Sequence, residues 1–165
     1  MMEIYNLIFT QLVSKFEEIR DTLKKGIEQL EDDDLNYRPN YESNTIANLV
    51  VHIEGNINQR IGTGLHGFQD VRSRDNEFSR ELYVSKDELL NKIDNSFKLL
   101  IESIKELSNE DLLRSIEVRG KAKIVYEVLQ QCASHYSEHL GQILYLVKIC
   151  LGSSYKTTSI YKKTF

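Results

Sequence analysis

The sequence predicts an all-α protein, a four-helix bundle with one long crossover after the second helix. Four long stretches carry apolar residues at helical spacing, and there is little alternation of the kind that strands show. The 165 residues include a single proline, and 41% of them are hydrophobic. This composition suits one folded domain with one core, so we expect a single domain over residues 1–165.

The first helix is predicted from Ile4 to Leu30. Its apolar stripe repeats every three or four residues and comprises Ile8, Leu12, Phe16, Ile19, Leu23 and Ile27. The acidic run at 31–34 marks its end, and a loop containing Pro39 follows.

The second helix is expected to begin near Ser43 or Asn44, since either side chain can cap it, and to be stopped by Gly62 and Gly64. Residues 65–84 show no sustained period and are interpreted as a long connection. A crossover of this length implies that the third helix need not lie antiparallel beside the second.

The third helix is expected to open at Ser85, where Ser85 and Glu88 form a capping-box pattern. A turn is predicted at 119–121, and the fourth helix is predicted over 123–151 with Gly152 as its stop. The polar tail that follows either packs across the bundle or is mobile; its candidate packing residues are Tyr155, Ile160, Tyr161 and Phe165.

Charge and hydropathy exclude several classes of protein. The net charge is −4 without a long block of either sign, which argues against a nucleic-acid-binding protein. The longest apolar run, Ile143–Val147, is too short to cross a membrane. The first residues lack the pattern of a secretory signal, so we expect a cytoplasmic protein. Cys132 and Cys150 would lie about 27 Å apart on one helix and are expected to be free thiols.

Two histidines on the fourth helix point to a metal site. His135 and His139 are spaced i, i+4, which places both rings on one side of the helix. We interpret that side as buried, because it continues the stripe of Val128, Cys132 and Ile143. His52 on the second helix is the obvious third ligand. Three protein ligands with positions left open are typical of a catalytic metal site.

A metal-free interpretation stays open at this point. Buried histidines can also be satisfied by hydroxyl groups, and Ser134, Tyr136 and Ser137 lie nearby in sequence. His66 is expected to be exposed and not a ligand. Cys132 and His139 would be about 10 Å apart along the helix and cannot bind the same ion, which leaves Cys132 as a core residue.

Two sequence blocks resemble the DinB/YfiT-like superfamily of metal-dependent enzymes. They are Asn48–Ile53, which contains His52, and His135–Ile143, with its His-x-x-x-His-x-Gly-Gln pattern. The resemblance covers nearly the whole chain. It implies a four-helix bundle of the DinB type in which His52, His135 and His139 bind a divalent ion, zinc or nickel. It also implies a homodimer and a low-molecular-weight thiol as substrate, because relatives include S-transferases and isomerases that use bacillithiol, mycothiol or glutathione.

The leading hypothesis is a metal-dependent transferase or hydrolase in which the ion activates a thiol or water. A chain rich in Lys, Ile and Asn is typical of a low-GC bacterium, in which bacillithiol would be the natural thiol. Asn56 and Arg60 are candidates for lining the substrate pocket, with ordinary surface roles as the alternative. A non-catalytic metal- or small-ligand-binding helical module is the second hypothesis, and a metal-free helical interaction domain is the third.

Overall fold

Four long helices form the framework in a computed structural model that describes residues 2–158. They are α1 (Met2–Ile27), α3 (Ile46–Ile57), α6 (Lys86–Glu106) and α7 (Val125–Leu151). The shorter elements are α2 (Asp32–Leu35), α4 (Gly64–His66), α5 (Arg74–Glu77), β1 (Ser115–Val118) and β2 (Lys121–Ile124). The predicted all-α class is confirmed.

The long crossover allows α3 and α6 to run parallel. Glu54 in the last turn of α3 pairs with Lys92 at 3.1 Å, and His66 further along the chain pairs with Ser103 of α6 at 2.7 Å. Since the contacts advance along both helices together, the helices point the same way. This confirms that the third long helix is not antiparallel to the second.

The other helix pairs complete an up-down-down-up bundle. α1 and α6 are antiparallel, because Lys24 contacts Asp94 whereas Glu17, earlier on α1, contacts Lys105. α3 and α7 are also antiparallel, as the contacts at the candidate site below show. The site therefore lies where two antiparallel helices face each other.

Tyr136 of α7 lies at the centre of the core and is fully buried. Its ring packs against Phe16 of α1 at 6.2 Å and Phe97 of α6 at 6.1 Å between centroids. Its hydroxyl donates to Asn56 Oδ1 at 3.0 Å, which satisfies the polar end of a buried tyrosine. Tyr136 thereby fixes the rotation of α7 about its axis. The turns of α7 that carry His135 and His139 face α3.

The second predicted helix has different ends from those expected. Its N-cap is Thr45 and not Ser43 or Asn44. The Thr45 hydroxyl accepts a hydrogen bond from the backbone N–H of Asn48. Beyond α3 the chain continues helically through a π-helical segment, Asn58–Thr63, and α4. Gly62 and Gly64 do not stop it. Left-handed Gly67, with φ +73°, ends it instead.

A β-hairpin precedes α7, and the sequence interpretation missed its strands. β1 and β2 pair antiparallel, with Ser115 opposite Ile124, so α7 begins at Val125 and not at residue 123. The predicted turn is confirmed: Arg119 and Gly120 both have positive φ, 55° and 71°. The strands are too short to produce a clear pattern, although Ile116 and Val118 alternate with exposed neighbours.

The remaining boundaries are close to the predictions. The α1 helix ends at Ile27, and Leu30 beyond it is still buried. Gly152 ends α7 with φ +52°, as predicted, and Tyr155 packs against the core. The other candidate tail contacts, Ile160, Tyr161 and Phe165, lie outside the described residues. Within residues 2–158, none of the helices is long and apolar enough to span a bilayer.

Candidate metal centre

Three histidines from two helices converge on one point. His52 of α3 faces His135 and His139 of α7, and one ring nitrogen from each lies within 4.8 Å of the others. The Nε2 atoms of His52 and His135 are 3.0 Å apart. The antiparallel packing of α3 on α7 therefore brings together the three residues singled out from the sequence.

The two histidines of α7 are less buried than the sequence suggested. His52 is 4% exposed, but His135 and His139 are only partly buried. The predicted stripe placed them in the interior, and this part of the prediction was wrong. Tyr136 occupies the interior position, so its neighbours lie at the edge of the α3–α7 contact, open to solvent on one side.

In His52 and His139, a hydrogen bond at Nδ1 keeps the ring proton on that nitrogen and so leaves a lone pair on Nε2. His52 Nδ1 lies 2.8 Å from Glu77 Oε2, a carboxylate oxygen that can only accept, so Nδ1 carries the proton. His139 Nδ1 lies 2.9 Å from Gln142 Oε1 and donates in the same way. His139 Nε2 is buried and has no hydrogen-bond partner within residues 2–158.

This donor set fits a divalent cation. Burial lowers the pKa of His135 to about 4, so its ring is neutral at pH 7. Burial also lowers the pKa of His139. Neutral imidazoles bind zinc at about 2.1 Å, which puts tetrahedral ligand nitrogens about 3.4 Å apart. The His52–His135 separation of 3.0 Å is close to this value, and all three ligand atoms lie within 4.8 Å of one another. Three histidines leave further coordination positions open.

A buried ion pair orients His52. Glu77 of α5 is 3% exposed and accepts from Arg72 Nε at 2.6 Å and from Arg72 Nη2 at 2.8 Å. Burial alone would raise the pKa of Glu77, but the hydrogen bonds from Arg72 and His52 and the charge of Arg72 outweigh it and hold the pKa below its ordinary value. Glu77 is therefore an ionised acceptor for His52, the arrangement by which carboxylates fix metal-binding histidines.

The sequence interpretation did not identify Glu77 or Arg72. Both lie in the segment 65–84, which was expected to be a plain connection, and neither belongs to a recognisable motif. Only the fold reveals that α5 lays Glu77 against α3.

Gly55 provides the space that Glu77 occupies. A Cβ atom at Gly55 would overlap Glu77 Oε1. We expect Gly55→Ala to lower the free energy of unfolding by about 1–3 kcal/mol, because a well-packed carboxylate must shift. Urea denaturation measures this change. The matched control is Gly141→Ala on α7, where an added Cβ meets nothing within 4 Å; a cost as large as that of Gly55→Ala would contradict the explanation.

Asn56 and Arg60, the predicted pocket residues, have different surroundings. Asn56 is 1% exposed and accepts from Tyr136, so it forms part of the core. Arg60 is partly buried, and its Nη1 lies 4.0 Å from Cys132 Sγ. His66 is exposed, as predicted, and its Nε2 lies within hydrogen-bond distance of Ser103 Oγ.

Cys132 is the core residue that the sequence predicted. It is fully buried, and burial raises the pKa of its thiol. We expect iodoacetamide to alkylate Cys150, which is only partly buried, well before Cys132 in the folded protein. Mass spectrometry of partially labelled protein checks the order, with urea-unfolded protein as the control in which both react. Equal labelling of the folded protein would contradict the described burial.

Comparisons with known proteins agree on the fold. A family model described as "Protein of unknown function (DUF1572)" matches residues 4–164. The crystal structure of a conserved protein from Enterococcus faecalis aligns with a TM-score of 0.74 and 13% identity, covering 87% of this chain and 96% of that one. A DinB-like protein from Bacillus subtilis, YjoA, aligns with a TM-score of 0.65 and 20% identity, covering 85% and 92%. Comparison with curated proteins gives no significant match.

Proposed function

Because this chain belongs to the DUF1572 family and has a DinB-like fold, we propose that it is a metal-dependent transferase or hydrolase acting on a small molecule. In this proposal His52, His135 and His139 are the ligands of one divalent ion, zinc or nickel. The observation that carries the proposal is the orphaned Nε2 of His139, which is buried within reach of two other imidazoles.

The ion, when bound, would lower the pKa of a coordinated thiol or water and so make it nucleophilic near neutral pH. The chain's own residues prepare this site. Glu77 and Gln142 hold the far nitrogens of His52 and His139 so that both rings present lone pairs inward. Only three residues of the described chain form the ligand group, and structural zinc sites usually have four. The partly exposed edge at His135 gives a substrate access.

The thiol class rests on the resemblance to thiol-dependent S-transferases. We propose a bacillithiol-type thiol as the co-substrate of a transferase, with water as the nucleophile of a hydrolase. A binding module that captures a ligand without turnover is the alternative. Loss of activity in His52→Ala with retained folding supports catalysis, whereas metal binding without turnover of any thiol or ester substrate supports the module.

A metal-free histidine pair is a second candidate, which one observation favours. The Nε2 atoms of His52 and His135 are within hydrogen-bond distance, and Arg72 Nη2 lies 3.2 Å from His52 Nδ1. Were Arg72 the donor to Nδ1, His52 Nε2 would carry the proton and donate it to His135. The shorter contact with Glu77, at 2.8 Å, favours the metal-binding tautomer.

Metal content tests the proposal. We expect protein purified without a histidine tag to contain about one equivalent of divalent metal per chain, and His135→Ala to lose most of it. Mass spectrometry with plasma ionisation provides the measurement. Glu138→Ala, at the exposed neighbour of His139, is the matched control and should keep its metal. Wild-type protein that takes up neither zinc nor nickel would overturn the proposal in favour of the metal-free pair.

A further inference from the structure

A cavity of about 250 Å³ lies at the end of the bundle where the hairpin packs. Four basic side chains line it, from the π-helical segment, the hairpin turn and β2: Arg60, Arg119, Lys121 and Lys123. Such a concentration of positive charge is unusual in a chain whose net charge is −4.

The cavity wall includes residues one or two helical turns away from the histidines of both helices. Arg60 follows His52 by about two helical turns, and Gln131, also in the cavity wall, precedes His135 by one turn, about 6 Å. Arg60 Nη1 reaches Cys132, which lies on the turn before His135. A small molecule bound in the cavity can therefore extend to the histidines.

Most of this positive charge has no acidic partner within residues 2–158. Lys123 is paired with Glu127 at 2.9 Å. Within the described part of the chain, Arg60, Arg119 and Lys121 have no carboxylate within 4.0 Å. Arg60 Nε is buried and lacks any hydrogen-bond partner among residues 2–158. Buried donors of this kind are normally satisfied, so Arg60 is suited to a ligand that brings an acceptor.

The backbone has an unusual conformation at both Arg60 and Arg119. Arg60 lies in π-helical turns. Such turns are rare in proteins as a whole, but those that occur are often at functional sites. Arg119 has φ 55°, which is uncommon for a residue with a side chain. Gln59 Oε1 accepts from Arg119 Nε and from Arg72 Nη1, both at 2.9 Å, and so holds the hairpin turn against the π-helical segment.

We propose that this cavity binds an anionic group, a carboxylate or phosphate, of the substrate, with Arg60 and Arg119 as its principal contacts. The inference rests on the proposed function and adds the substrate class: a small molecule that carries an oxyanion away from its reacting atom. Arginine suits this role because its planar fork binds such groups with two hydrogen bonds. Burial and the charges of Arg72, Arg74 and Arg60 lower the pKa of Arg119, so an anion would relieve a repulsion already present.

Titration of metal-free protein with inorganic phosphate and with succinate tests the inference. Chelator-treated protein at low salt is monitored through the arginine Nε–H signals in ¹⁵N NMR spectra. We expect at least one of the two probes to shift the Arg60 and Arg119 signals. Arg60→Gln and Arg119→Gly should each weaken binding about tenfold or more. Glycine suits the left-handed turn, so Arg119→Gly removes the guanidinium and keeps the hairpin.

Two control variants make the outcome specific. Lys98→Ala removes an exposed charge on α6 and should leave binding unchanged. Lys105→Ala, at a second exposed lysine of α6, should also bind the probes normally. The inference is overturned if neither probe binds, or if either lysine variant weakens binding as much as the arginine variants. Failure of the metal proposal would appear instead in metal content, which this titration does not measure.

Discussion

Replacing Glu77 by alanine is expected to lower the free energy of unfolding by about 3–5 kcal/mol. The side chains of Glu77 and Arg72 are each only 4% exposed. Alanine would leave a buried guanidinium without its carboxylate and His52 Nδ1 without its acceptor. Urea denaturation followed by far-ultraviolet circular dichroism measures the loss.

The control for Glu77→Ala comes from the same short helix. Asp75 is exposed on α5, and Asp75→Ala should change the stability very little. The double variant Arg72→Leu with Glu77→Ala should recover part of the loss, because it also removes the stranded charge. Equal costs for Asp75→Ala and Glu77→Ala would show that the buried ion pair is not the cause.

Lowering the pH should remove the stabilisation that the ionised carboxylate of Glu77 provides. The pKa of Glu77 is held below its ordinary value of 4.5 in the folded protein. A carboxyl group with a lowered pKa stabilises the fold above its unfolded pKa, and this contribution disappears as the pH falls through the folded pKa. The difference in stability between wild type and Glu77→Ala should therefore shrink below pH 4.5.

The bundle could be predicted from the sequence because its helices are long and strongly periodic. Residues such as Phe16, Ile19 and Leu23 lie on the predicted stripe of the first helix and are buried. The predicted DinB-type fold is likewise confirmed by the structural alignment with a DinB-like protein. Helical spacing also placed His135 and His139 on adjacent turns, since that relation depends on the backbone alone.

What the sequence could not reveal depends on tertiary contacts. Glu77 acquires its role only because a four-residue helix lays it against Gly55 and His52. Tyr136 was considered a hydroxyl partner for a buried histidine, yet its hydroxyl bonds Asn56 and Cys132 instead. Helical spacing alone could not decide which of the two neighbours, Tyr136 or His135, faces the core.

Zinc is expected to stabilise the wild-type protein by about 4 kcal/mol when its free concentration is about 1,000 times the dissociation constant. The three histidines meet only in the folded chain, because His52 is on α3 and the other two are on α7. An ion that binds only the folded state must raise its stability, and it does so whether or not the site is catalytic. Urea denaturation with zinc and with chelator measures the effect.

His135→Ala should lose nearly all of this zinc-dependent gain, and Glu138→Ala should keep it. His139→Ala provides a sharper case. Removing an imidazole whose Nε2 is buried without a partner takes away an unsatisfied group, so the metal-free variant should be no less stable than expected from lost packing alone. A zinc response that persists in both His135→Ala and His139→Ala would place the ion elsewhere. A response lost in both variants means that the ion binds at this histidine cluster, where the buried Nε2 of His139 has no hydrogen-bond partner without metal among residues 2–158.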